Sequence, residues 1–213
     1  MAASSGPDII DDGLILCTDA KNTKSYPGSG TAWTNLAGST DLTLDGATFD
    51  STYPAINFDG SNDKLTCSTM TCGDIWTQQC FYRPTDQASG GYGYFNQGWS
   101  AISEGGNNGA LKKLYLFLGG VRVVSTSQFE TGIWYNIAWV YNTTDNEVKV
   151  YVNGVLDKTT AGAIDKNTFS GIGSYSGTTH SLNGKLANFM IYNRELTATE
   201  ILQNYNALKH RFV

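Results

Sequence analysis

Five glutamates and two histidines are the raw material for any acid–base chemistry in this chain: Glu104, Glu130, Glu147, Glu195, Glu200, His180 and His210. Retaining glycoside hydrolysis takes two carboxyls about 5–5.5 Å apart, one as nucleophile and one as acid/base. On a strand the pair must share a face, as residues i and i+4 do. No two of these glutamates have that spacing, and none stands in an E-x-D-x-x-E or E-x-D-x-E run. Glu195 and Glu200 come nearest, but they straddle a helix start at which Glu200 has a capping role. Asp11-Asp12 belongs to a polar N-terminal segment. His180 lies in a stretch of Gly, Ser and Thr, and His210 falls at a helix C-terminus, where an imidazolium complements the dipole. Neither has a neighbouring Cys or Ser motif with a third orienting group. The Gly-Gly pairs lack the Lys-Ser/Thr and helix of a phosphate loop. With no complete set of roles, the sequence predicts a protein that is not an enzyme.

Binding chemistry has better material. Residues 87–110 interleave aromatics with Gly and Asn, and Tyr92, Tyr94 and Trp99 offer flat apolar faces on which the C–H faces of sugars stack. Asn107 and Asn108 carry both donors and acceptors for hydroxyls. The same rings serve equally as a roof over the core or as a protein–protein anchor. "FDGSND" (58–63) gathers Asp59, Asn62 and Asp63, yet calcium wants six to eight oxygens, and such residues in a Gly turn commonly bond their own backbone. We therefore expect no metal and no cofactor. Cys17, Cys67, Cys72 and Cys80 lack the paired spacing of a zinc site and read as reduced, buried small hydrophobes, with a Cys67–Cys72 or Cys72–Cys80 bridge as the alternative. Asn142-Thr143-Thr144 matches a glycosylation sequon, expected here to be fortuitous.

The elements that position these residues are short strands. Charged residues make up 15% of 213, while Gly numbers 24 and Tyr 12, a composition suited to strands joined by tight turns rather than to helices. A net charge of −5 without a basic run excludes wrapping nucleic acid. No apolar run approaches a membrane span and no secretory signal is visible, so a product that stays where it is made, or leaves by host lysis, is expected. "EVKVYVNGV" (147–155) alternates and then stops at Asn153-Gly154, predicting a strand that buries Val148, Val150 and Val152 before a type I′ turn. Further strands are predicted in 13–20, 42–49, 55–67, 75–84, 98–103, 113–125 (two, around Gly119-Gly120), 132–142 and 182–193. Trp33 and Leu36 should plug the core under the loop 21–39. One helix follows, with Thr197 and Glu200 as a capping box and Ile201, Leu202, Tyr205 and Leu208 on one face. No helix separates any two strands. The pattern predicts an all-β fold of two packed antiparallel sheets with one short C-terminal helix, preceded by an arm over residues 1–12 and forming a single domain over 13–213.

Several segments, in order, resemble laminin-G-like domains of the concanavalin A-like lectin/glucanase superfamily: "SYPGSGTAWTNLAGS", "INFDGSNDKL", "WTQQCFYRP", "WYNIAWVYNTTDNEVKVYVNGV" and "GKLANFMIYNRELTATEILQNYNALKHRF". The resemblance spans roughly residues 12–210 and implies a jelly-roll β-sandwich. The S-Y-P-G-S-G-T-x-W loop with the compact C-terminal helix is similar to domains in virion proteins of tailed bacteriophages. That implies a structural or attachment subunit located in the virion, partnered by capsid or tail proteins in an oligomeric assembly, with a cell-surface glycan as a further partner and no nucleic-acid or membrane partner. The alternatives are a freestanding lectin-like module and, third, a glycan-cleaving enzyme. Where those domains show an acid in D-L-S-G, this chain has Asn35-Leu36-Ala37-Gly38, so a cation held by that acid is not expected here.

Overall fold

The computed structural model describes residues 7–85, 92–96, 100–103, 113–118, 121–161, 167–173 and 182–212. The strands in chain order are β1 (Leu14–Asp19), β2 (Ala32–Trp33), β3 (Leu42–Asp45), β4 (Thr48–Asp50), β5 (Ala55–Asp59), β6 (Lys64–Thr71), β7 (Ile75–Pro84) and β8 (Tyr92–Asn96). They continue as β9 (Ser100–Ser103), β10 (Lys113–Leu118), β11 (Val121–Val124), β12 (Tyr135–Asn142), β13 (Glu147–Val152), β14 (Val155–Ala161), β15 (Thr168–Gly173) and β16 (Asn183–Tyr192). Helix α1 (Ala198–Leu208) and a 3₁₀ turn over Lys209–Arg211 follow.

The strands form two antiparallel sheets. The first runs β14-β13-β12-β7-β16-β5-β4, with β1 pairing the second half of β16. The second runs β11-β10-β9-β8-β15-β6-β3-β2. Gly46, at φ +82°, divides the 42–49 run so that β3 joins the second sheet and β4 the first. Strands β2, β8, β14 and β15 are absent from the sequence prediction. Val155 and Leu156 open β14 exposed, and the strand shows no buried alternation to detect.

The main core lies between the sheets. Val148, Val150 and Val152 pack into it with Trp76, Trp139 and Ile137 from the first sheet and Leu44, Leu65, Phe169 and Ile172 from the second. Trp76 and Tyr141 stack at 4.1 Å, and Phe169 meets Phe189 across the sheets at 5.3 Å. Asn153 and Gly154 both adopt positive φ, +52° and +80°, as the predicted turn requires. Trp33 is fully buried, but Leu36 is 42% exposed, and the second anchor of the loop is Tyr26, 3% exposed in the same core.

The outer face of the first sheet is covered as well. Ala138, Val140, Tyr151, Met190 and Tyr192 pack under Ile201 and Leu196, joined by Ile9 and Ile10 of the N-terminal segment. The predicted capping box is present: Glu200 N–H donates to Thr197 Oγ1 at 3.3 Å and Thr197 N–H to Glu200 Oε2 at 2.8 Å. The helical face departs from the prediction at one position, since Ile201, Tyr205 and Leu208 pack on the sheet as expected. Leu202 is 40% exposed, and the enclosed residues of α1 are Ile201 and Asn204. Asn204 Nδ2 donates to Gln79 Oε1 (2.8 Å) and Tyr192 Oη (3.0 Å), and its Oδ1 accepts from Ile10 N–H (2.8 Å). Gln79 Nε2 donates in turn to Asn136 Oδ1 (2.8 Å). A buried amide is tolerated only when its partners are supplied. Here the amides lock helix, arm and sheet into one register.

Candidate functional site

Three of the five glutamates are occupied by structural partners. Lys149 is gripped by Glu147 (3.0 Å) and Glu195 (2.8 Å), whose hydrogen bonds, Glu195 foremost, push the lysine pKa up. Glu200 caps α1 and pairs with Arg194 at 2.7 Å, and that guanidinium lowers its pKa to about 2. Glu104 and His180 lie outside the described residues, and His210 sits in the 3₁₀ turn. The four cysteines are unbonded thiols. Burial raises Cys17 and Cys67 to about 11 and Cys72 to about 12, and pushes Cys80 well up. A thiol so raised stays protonated at neutral pH and is a poor nucleophile.

Of the predicted binding residues, Tyr92 and Tyr94 fall in strand β8, in the second sheet, rather than in a loop. Trp99, Asn107 and Asn108 lie outside the described residues. In "FDGSND", Asp59 Oδ1 accepts from Ser61 N–H (2.8 Å) and Asp63 Oδ2 from Asp59 N–H (2.9 Å), both backbone-satisfying bonds. Asp63 is buried, and desolvation raises its pKa. Among the described residues no cluster of three His, Cys, Asp or Glu side chains is placed to hold a metal ion. Asn35 has a role of its own. Its Oδ1 accepts from Cys17 N–H and Ala37 N–H, both at 2.9 Å, and its Nδ2 donates to Ile15 O at 3.0 Å. A carboxylate cannot make that donation.

The structure assembles a different set of rings and cations, on the outer face of the first sheet beside the end of α1. Ala55, Phe81, Trp134 and Ala187 form a patch there, joined by Tyr205, Leu208 and Phe212. Phe212 lies 4.5 Å from Phe81 and 4.7 Å from Trp134, centroid to centroid. Next to it opens a notch of about 80 Å³ lined by Lys21, Thr52, Tyr53, Pro54, Trp134, Arg211 and Phe212. Tyr53 is 41% exposed, carried on the turn between β4 and β5. Arg83 Cζ sits 4.5 Å from its ring centroid and Lys185 Nζ 5.7 Å. Arg83 is held by its Nε–H bond to Gly132 O (2.8 Å), just before Trp134. Arg211 makes a paired bond to Asp19, Nη1 to Oδ2 at 2.8 Å and Nη2 to Oδ1 at 2.7 Å. Lys185 is paired with Asp50.

Sequence reasoning passed over these residues because their contacts are tertiary. Lys21, Tyr53, Trp134 and Arg211 come from four separate turns and ends of elements. The local signals were a Tyr-Pro turn at 53–54 and an Arg-Phe pair after the helix, neither of which specifies a partner.

A family model for the concanavalin A-like lectin/glucanase superfamily, of laminin-G type, matches residues 59–202. The chain belongs to this superfamily. Among curated proteins no sequence relative matches. Solved structures with the same fold include Trypanosoma rangeli sialidase, at TM-score 0.68 and 13% identity over 94% of this chain and 34% of that one. The same sialidase in complex with sialic acid gives TM-score 0.65 and 14% identity over 99% and 37%. A botulinum neurotoxin type C structure, described as showing that cell entry depends on interaction with two ganglioside molecules, gives TM-score 0.66 and 16% identity over 93% and 52%. This chain thus spans about a third of the sialidase chains and about half of the neurotoxin chain. At such identities the superfamily neighbours establish the two-sheet architecture.

Proposed function

We propose that this domain is a non-catalytic recognition module that holds a glycan on its surface and serves as an attachment subunit of a bacteriophage virion. The observation that carries the glycan part is the notch at Tyr53, Trp134 and Phe212, where ring faces and hydrogen-bonding side chains meet on a rigid wall. Rings supply apolar contact for sugar C–H faces, and Thr52 and Lys21 on the rim supply partners for hydroxyls. The engagement of Glu147, Glu195 and Glu200 in structural pairs supports a role without hydrolysis. The virion part rests on the likeness of the S-Y-P-G-S-G-T-x-W loop and the strand-to-helix exit to phage domains. It implies capsid or tail proteins as partners in an oligomer.

A glycan array probed with the wild type and with Tyr53→Ala tests the first part. Binding that the substitution weakens about tenfold, roughly the value of one stacking side chain, supports it; no glycan retained by the wild type refutes it. Release of reducing ends from any retained glycan overturns the non-catalytic assignment. Co-sedimentation with phage particles tests the virion role, and a protein that binds glycan but no particle is a freestanding lectin.

A further inference from the structure

Resting on the glycan-binding proposal above, we infer that the notch beside Tyr53 selects anionic saccharides, taking a carboxylate- or sulfate-bearing sugar of a longer chain. The protein as a whole is acidic, with a net charge of −5. Around this notch the sign reverses. Lys21 and Arg211 line it, and Arg83 and Lys185 stand 4.5 Å and 5.7 Å from the ring that forms its outer wall. Two carboxylates, Asp19 and Asp50, hold Arg211 and Lys185. The four cations outnumber the carboxylates that pair with them, so the local field favours an anion against the background of the chain.

Arg83, Arg211 and Lys185 are also fixed in place. Arg83 is tied by its bond to Gly132 O and by the Tyr53 ring. The Arg211 side chain is only 9% exposed. Each of its terminal nitrogens donates one bond to Asp19, which leaves a second N–H on each. A planar anion meeting pre-positioned donors loses little entropy on binding.

Size sets the form of the ligand. Sites that enclose a whole small molecule run to about 300–1,000 Å³. A notch of about 80 Å³ admits one substituent and a ring edge. The rest of the ligand must lie outside, over the exposed face of Tyr53. An oligosaccharide fits this description, and a free small anion would leave the aromatic wall unused.

The test titrates the full chain by calorimetry with an oligogalacturonate (carboxylate), a heparin-derived hexasaccharide (sulfate) and maltohexaose (neutral), at about 50 and about 300 mM NaCl. The expected result is affinity about tenfold or more higher for at least one anionic probe than for maltohexaose, falling several-fold at the higher salt. Lys21→Glu, an exposed rim change with melting monitored to confirm the fold, should weaken that binding about tenfold. Which anionic probe wins separates carboxylate from sulfate recognition. Equal binding of maltohexaose, or indifference to both salt and Lys21→Glu, overturns the charge selection and leaves the lectin proposal standing. Binding of none of the three, with an empty glycan array, overturns both. Anion binding that survives both Lys21→Glu and Tyr53→Ala puts the ligand elsewhere and overturns this assignment.

Discussion

Strands β6 and β7 lie in different sheets and differ in how they are covered. Every side chain of β7 from Trp76 to Tyr82 is buried, because its sheet has the main core on one side and α1 with the N-terminal segment on the other. In β6 burial is confined to Leu65, and Ser68, Thr69 and Thr71 face solvent. A strand covered twice reads as a continuous run; a strand covered once reads as a mixture. The doubly covered sheet also carries the buried amides, since polar side chains enclosed between sheet and helix must find partners there. The aromatic notch opens where that cover ends.

The largest effect should come from the shared core. Trp76→Ala removes a ring stacked on Tyr141 and should cost about 3–5 kcal/mol, read as a lowered urea midpoint at unchanged slope. Next is the network under α1. Asn204→Ala leaves Gln79, Tyr192 and Ile10 each short of a partner and should cost about 2–4 kcal/mol. Hydrogen exchange should then show the N-terminal segment opening before the sheet does, whereas a uniform loss would mean that the network does not fasten the arm.

Smaller is Glu200→Gln, at about 1 kcal/mol near neutral pH from the weakened cap and Arg194 pair. The folded-state pKa of Glu200 lies below its ordinary value, so its contribution is present above about 4.5 and disappears as pH falls toward about 2. Melting curves of variant and wild type should therefore converge across that acid window. Smallest is Ser68→Ala on the solvent side of β6, expected within about 0.5 kcal/mol of wild type. A large loss there would show that the second sheet's outer face is covered by something, which would erase the contrast between the sheets.

These differences also explain what the sequence disclosed. Alternation in 147–152 and the strands predicted at 75–84 and 182–193 exposed the first sheet, because hydrophobic periodicity records burial directly. The capping box at Thr197 and Glu200 was local and therefore legible. Asn204 was not, since an amide on a helix looks the same whether it meets water or three buried partners. Leu202 and Leu36 misled for the reverse reason: an apolar residue at the right spacing need not find a cover. The notch was invisible because Tyr53 and Arg211, 158 positions apart, are brought together only by the tertiary fold.

The four unbonded cysteines give the molecule a built-in clock for its own opening. A thiol-labelling reagent reacts only with sulfur it can reach, so Cys67, partly accessible, will report breathing near β6, while the fully enclosed Cys80 will wait for the first sheet to come apart. Mass spectrometry of the order in which they are alkylated would time those events separately in one sample.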